Sequence, residues 1–313
     1  MDNLKNLQVQ IDDALKLLDE SAFTGKANSE SLSSTIDLQL GDTKSLLERC
    51  EKALEQSSFR SKPTLRVIHH LACSGGTLVS KCVAALPNVF LLSELHPTSK
   101  LHMGEGKPKF LPSDIITQSR YANIPDVDSL AWRIFTDNLK TTERHVSNFG
   151  GHLVIREHTH SDFFVGKSFA QHSSIIKHLS NEFNVLRVAS IRNPIDSYLS
   201  LLSNNWEHFE PKGFNEYCKR VDVFISEYST EQIIRYEDFI ENPKENVQKI
   251  AEALDIEFSD SFIDTFEIFR VTGDSGRSGG SITKRERRKV PEKIREEIIS
   301  SEYFNKIAGC FDY

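Results

Sequence analysis

Long hydrophobic runs are absent from this chain. Nowhere do ~18 apolar residues follow one another, which excludes a membrane-spanning helix. The opening Met1-Asp2-Asn3-Leu4-Lys5 lacks the basic start and apolar stretch of a signal peptide, so the expected location is cytoplasmic. Cysteine is scarce: Cys50, Cys73, Cys82, Cys218 and Cys310 are odd in number, with no Cys-x-x-Cys pair for zinc or disulfide exchange. They read as thiols of a reducing compartment. A surplus of positive charge is lacking too. Lys and Arg number 38 against 45 Asp and Glu, a net charge of −7, which argues against nucleic acid or an anionic membrane as partner of the whole molecule. Any anion site must be local. The hydrophobic share of 38% is nevertheless enough for a sizeable core, and 313 residues make room for one large catalytic domain or two smaller ones.

Two textures divide the chain. In residues 1–62, Leu4, Leu7, Ile11, Leu15 and Leu18 recur at helical spacing, and Ile36, Leu40, Leu47, Cys50 and Leu54 do so again beyond a loop that starts at Thr24-Gly25. This pattern predicts an N-terminal helical hairpin, packed on the body or used in self-association. In residues 63–313, short apolar runs at 65–72, 89–95, 153–158, 185–191 and 232–236 predict strands. Helical segments at 78–86, 129–148, 169–183, 195–205 and 244–254 lie between and after them. Alternating strands and helices predict an α/β, three-layer, P-loop-like fold with a central parallel sheet. Ligands of such sheets bind at the carboxyl ends of the strands.

The first predicted strand runs into Cys73-Ser74-Gly75-Gly76-Thr77-Leu78. Glycines allow close backbone approach, and the amides of Ser74 to Leu78 with the following helix N-terminus form a cradle for an anion. The Gly-Lys-Ser/Thr ending of the common nucleoside triphosphate loop is missing. A second strand leaves Arg192 at its carboxyl end, before Pro194 and a helix that carries Ser200. A third ends at Tyr236-Glu237-Asp238. Near the C-terminus, Ser275 to Lys289 is a basic, glycine-rich stretch containing Arg277, Ser278 and Gly279.

In this order these segments resemble the sulfotransferases that use 3′-phosphoadenosine 5′-phosphosulfate (PAPS), over residues 65–313. The resemblance implies that Ser74, Gly75, Gly76 and Thr77 hold the 5′-phosphosulfate. It implies that Arg192 and Ser200 hold the 3′-phosphate, that Tyr236 touches the adenine, and that Arg277 and Gly279 close on the 3′-phosphate. The implied reaction moves a sulfuryl group to an acceptor hydroxyl or amine of a small molecule or glycan, releasing adenosine 3′,5′-bisphosphate (PAP). No metal is required. Other readings are a non-catalytic PAP-binding or nucleotide-binding protein and a P-loop kinase.

Sulfuryl transfer needs a base for the acceptor proton and cations around the moving group. Two bases are in reach. Glu94, just past the second strand, resembles the base of the tyrosylprotein sulfotransferases, and a carboxylate beside a cationic loop stays ionised. His158, in Arg156-Glu157-His158, resembles the Lys-x-His strand end of the cytosolic sulfotransferases, with Arg156 in place of the lysine that helps hold the 5′-phosphate. Glu94 is preferred and His158 orients the substrate. The family's lysine or arginine before the Ser-Gly of the loop is Cys73 here, and a thiol supplies no cation. Arg156, Lys81 or a basic residue of 284–289 must replace it, or turnover is slow or absent. His69, His70, His96 and His160 add imidazoles at the same sheet edge, but without a compact ligand spacing such as His-Glu-x-x-His. Trp132 and Trp206 are candidates for an acceptor pocket or for plain core.

Overall fold

The chain divides into two units, Met1–Arg60 and Ser61–Tyr313. In this computed structural model the described residues are 62–103, 108–272, 282–284 and 286–313, all in the second unit. The helical hairpin expected over 1–62 therefore lies outside the described residues, apart from Lys62, and so do Arg277, Ser278 and Gly279.

The order of elements is β1 (Thr64–His70), α1 (Gly76–Ala84), β2 (Val89–Leu95), α2 (Ile115–Tyr121), α3 (Val127–Ser147), β3 (His152–Glu157), α4 (His160–Phe163), β4 (Val165–Gly166), α5 (Ser174–Leu179), β5 (Asn184–Ile191) and α6 (Pro194–Ser203). It continues with β6 (His208–Phe209), α7 (Phe214–Ile225), β7 (Ile233–Arg235), α8 (Tyr236–Glu241), α9 (Pro243–Ala253), α10 (Phe262–Thr265), α11 (Glu292–Ser300) and α12 (Glu302–Phe311). Five strands form one parallel sheet in the order β2-β3-β1-β5-β7, and β4 pairs with β6 apart from it. The expected α/β class with a central parallel sheet is what the chain adopts.

Alternation along the strands builds the layers, since successive side chains point to opposite faces. Leu65 and Val67 of β1, with Leu153 and Ile155 of β3, pack against Phe135 and Leu139 of α3 and Ile175 and Leu179 of α5. Ile68, Val154 and Val188 face the other way, onto Val79 and Val83 of α1 and Val247 and Ile250 of α9. Both faces are covered, so the strands read as continuous apolar runs. A third cluster joins the end of β5 to α6, α7 and α12 through Ile191, Leu201, Phe214, Tyr217 and Ile307.

The helix expected over 169–183 is shorter, Ser174–Leu179. The Ser173 hydroxyl accepts the Ile176 N–H and fixes the helix start there. Among the described residues no helix is long and apolar enough to cross a membrane.

Candidate active site

β1 lies at the centre of the sheet: from it the chain runs out to β2 and returns through β3 on one flank, then crosses to β5 on the other. That is a topological switch point, where α/β sheets open a crevice. The β1–α1 loop lies at its floor. The Ser74 amide and hydroxyl both donate to the Leu71 carbonyl, at 3.2 and 2.8 Å, closing a tight turn. Cys73 (φ 65°) and Gly75 (φ 89°) take left-handed conformations. A Cβ on Gly75 would lie 2.2 Å from the Tyr236 ring, and one on Gly76 would lie 2.2 Å from the His70 ring. The first helical bond is Leu78 N–H to Gly75 O at 3.0 Å. The amides of Gly76 and Thr77 thus sit at the helix start, where partial positive charge favours an anion.

On the β5 side, Arg192 donates to the Cys73 carbonyl at 3.4 Å and lies over the Tyr236 ring, 5.2 Å from its centroid. Asn193 caps α6, its Oδ1 accepting Ile195 N–H at 3.0 Å, and its own N–H donates to Glu237 Oε1 at 2.9 Å. The Tyr313 hydroxyl donates to Glu237 Oε2 at 3.1 Å. Ser200 is buried in α6. Its carbonyl accepts from Asn204 Nδ2 at 3.0 Å, and that amide also reaches Cys73 Sγ at 3.6 Å. Arg192 thus joins Cys73 to Tyr236, whose ring lies against Gly75, and Asn204 links Cys73 to the Ser200 carbonyl.

On the β3 side, the buried Arg156 donates to Thr77 Oγ1 (3.2 Å), Ser93 Oγ (3.2 Å), the Thr272 carbonyl (3.1 Å) and His70 Nε2, and pairs with Glu94 Oε1 at 2.5 Å. Glu94 has φ 59° where the β2–β3 register shifts between Leu92 and Leu95. Such irregularities turn a side chain out of the strand's alternation. His158 follows β3, with Nε2 3.9 Å from Glu94 Oε2 and Nδ1 3.2 Å from Ser161 Oγ. Glu94 keeps 19% of its side-chain surface exposed and His158 25%, enough for both to meet an acceptor.

Burial raises the Glu94 pKa, but its neighbours, His70 and then the Arg156 guanidinium, outweigh it and hold the carboxyl well below the usual carboxylate range. Burial, and then Arg156, lower the His70 pKa. His70 is thus neutral at pH 7, and the fixed charge that keeps Glu94 ionised is Arg156. Burial also lowers His158, against a raising pull from Glu94. The His160 ring, 3.1 Å from His208, is lowered to about 3 by burial and by His158 and His208.

The cradle therefore has a buried guanidinium, Arg156, on its Thr77 side and a half-buried one, Arg192, on its Cys73 side. Of the candidates to replace the loop cation, Arg156 touches the loop through Thr77. Arg287 and Arg288 bind α6 instead, at Asp196 (3.1 Å) and at the Leu199 carbonyl (2.9 Å). Trp132 stacks on His178 and packs on the α3 side of the sheet, and Trp206 packs against the third cluster; both are half-buried. Sequence reasoning did not single out Ser93, Thr272, Asn204 or Tyr313. Their partners lie far along the chain, and only for Glu237, within Tyr236-Glu237-Asp238, was there a local signal.

No protein-family model matches the chain, and no curated protein is similar to it at a significant level. Among solved structures, the sulfotransferase domain of the Synechococcus PCC 7002 olefin synthase is similar over 81% of this chain and 96% of its own, at 11% identity and a TM-score of 0.46. A sulfotransferase from Alicyclobacillus acidocaldarius is similar over 67% and 91%, at 14% identity and TM-score 0.34. Mouse sulfotransferase SULT7A1, complexed with PAP, is similar over 80% and 86%, at 11% identity and TM-score 0.40. These likenesses concern the path of the chain, and the chemistry of the site rests on the residues described above.

Proposed function

We propose that the protein is a PAPS-dependent sulfotransferase acting on a hydroxyl of a small molecule or glycan. One observation carries the reading: the β1–α1 cradle is flanked by Arg156 and Arg192, two cations about a loop too tight for a side chain at Gly75 or Gly76. The 5′-phosphosulfate occupies the cradle, with Arg156 supplying at Thr77 the charge that Cys73 does not. The 3′-phosphate meets Arg192 and Ser200, and the adenine lies against Tyr236.

His158 takes the acceptor proton, because a carboxylate paired with Arg156 and held well below its usual pKa is a poor acceptor while a neutral imidazole is better matched. Glu94 stabilises the imidazolium as it forms. The acceptor oxygen attacks sulfur, the bond from sulfur to the bridging phosphate oxygen breaks, and PAP leaves with its charge held by the cradle.

PAP is expected to bind with micromolar or tighter affinity in calorimetry. Arg192→Ala should weaken it by more than ~1.4 kcal/mol, a factor of ten, through loss of a charge-assisted phosphate contact. ATP is the control ligand. Failure of the folded protein to bind PAP would remove the reading. The Cys73 position favours one second reading, a binder without turnover. Transfer appearing only in Cys73→Lys would establish it.

The base has its own signature. Neutral His158 is the active form, so kcat/KM should hold at neutral pH and fall in acid through an apparent pKa below the ordinary 6.5. Glu94 raises that pKa, so Glu94→Gln should move the acid limb to lower pH while His158→Gln removes turnover. If instead Glu94→Gln is inactive and His158→Gln retains the wild-type profile, the carboxylate is the base.

A further inference from the structure

Arg192 follows β5 and Tyr236 follows β7, so the guanidinium meets the ring only while the two strand ends keep one relation. Glu237 ties them together. Its Oε1 accepts the Asn193 N–H at 2.9 Å and its Oε2 accepts the Tyr313 hydroxyl at 3.1 Å. The Asn193 N–H belongs to the planar peptide that leaves Arg192, so the first of these bonds orients the Arg192 backbone itself. Glu237 is also the neighbour of Tyr236 in the first turn of α8, so the same carboxylate bears on both members of the pair. Asn193 is buried and caps α6 through Oδ1, which leaves its amide little freedom to find another partner.

Tyr313 reaches this junction from a different part of the fold. It follows α12, whose Phe304 packs on Phe214 of α7 with ring centroids 5.4 Å apart. The Tyr313 N–H donates to the Ala308 carbonyl at 3.3 Å, and its ring lies beside Phe311 with centroids 6.2 Å apart. The Arg235 guanidinium covers that ring, 5.2 Å from its centroid, and pairs with Asp238 at 3.7 Å. The ring is thus seated before its hydroxyl meets Glu237. Burial, and then the charge of Glu237, raise the Tyr313 pKa, so the hydroxyl keeps its proton and donates. The terminal torsion of a glutamate is soft. One donor leaves the carboxylate free to turn, whereas a donor on each oxygen fixes its plane.

We propose that Tyr313 is a positioning residue of the donor site: through Glu237 its hydroxyl sets the end of β5 against the end of β7, and with them the place of Arg192 over Tyr236. The inference rests on the nucleotide reading above and adds selectivity to it. Arg192 meets the 3′-phosphate and Tyr236 the purine, so a fixed spacing between them reads both groups of one ligand together. A nucleoside 3′,5′-bisphosphate gains from both contacts, and a nucleoside 5′-monophosphate from Tyr236 alone. Glu94 on β2 and His158 after β3 belong to the other flank of β1, so the acceptor side should not feel the hydroxyl.

The test is calorimetry on the full chain with PAP and, as a second probe, adenosine 5′-phosphate. Tyr313→Phe removes one oxygen and keeps the ring. PAP should bind about tenfold more weakly, as befits a lost hydrogen bond to a charged group, while adenosine 5′-phosphate loses less and the melting temperature stays close to that of the wild type. Glu237→Gln should weaken PAP as well, and adding Tyr313→Phe to it should cost nothing further, because the hydroxyl acts through the carboxylate. In proton–nitrogen correlation spectra of the ligand-free protein the Asn193 amide should move in Tyr313→Phe and stay in place in Tyr303→Phe, a tyrosine of α12 itself. If the folded wild type does not bind PAP, the nucleotide reading falls and this inference with it. If the wild type binds PAP, three results would overturn the inference alone: unchanged PAP affinity in Tyr313→Phe, equal losses for both nucleotides together with a lower melting temperature, or an unmoved Asn193 amide.

Discussion

Arg156→Ala is expected to destabilise the catalytic unit by roughly 3–5 kcal/mol, because removing one member of a buried ion pair strands the other. Glu94 would face only the neutral His70 and His158, and the Thr77, Ser93 and Thr272 oxygens would lose their shared donor. Turnover should fall by at least about 100-fold, the usual cost of one group stabilising developing charge. Denaturant midpoints and rates of transfer from PAPS check the two effects separately. Arg156→Met with Glu94→Leu should recover most of the stability, since an apolar pair of similar volume replaces a buried ion pair without stranding a charge, yet should recover no transfer. Arg156→Ala melting like the wild type would show that the pair contributes nothing to the fold.

Gly75→Ala carries the second large effect. The new Cβ would stand 2.2 Å from Tyr236, at a residue with φ 89°. Overpacking costs about 1–3 kcal/mol, and the left-handed backbone adds roughly 1–2 kcal/mol for a residue with a Cβ. PAP affinity should drop by at least about tenfold, as the ring is pushed off Arg192 and the cradle opens. Combining Gly75→Ala with Tyr236→Ala separates the causes: the steric part should return in the melting curve and the backbone part should not. A Gly75→Ala protein with wild-type stability and PAP affinity would show the loop to be looser than its geometry.

The sheet was legible because burial on both faces leaves continuous apolar runs; the run at 89–95 is a strand with those very bounds. Helix starts were legible where one residue sets them, as Pro194 does for α6. The Phe214–Ile225, Glu292–Ser300 and Glu302–Phe311 helices went unread, since they carry no adjoining strand or glycine turn to mark them. Within the site, the loop, Arg192, Tyr236, Arg156, Glu94 and His158 could be named from motif order, and Arg192 and Tyr236 prove to be in contact. Their coupling could not be named. The ion pair of Glu94 with Arg156 spans two strands, and its consequence for basicity depends on burial that no spacing reveals.

The sheet order has a mechanical side. Glu94 is carried by β2, which among the described residues is paired on one flank alone, whereas the cradle springs from β1, held by neighbours on both flanks. On the proposed function, the nucleotide side of the crevice is thus anchored at the centre of the sheet and the acceptor side at one of its edges. The proposed reaction would then admit its acceptor and release its product by small excursions of that edge, while the donor nucleotide stays seated.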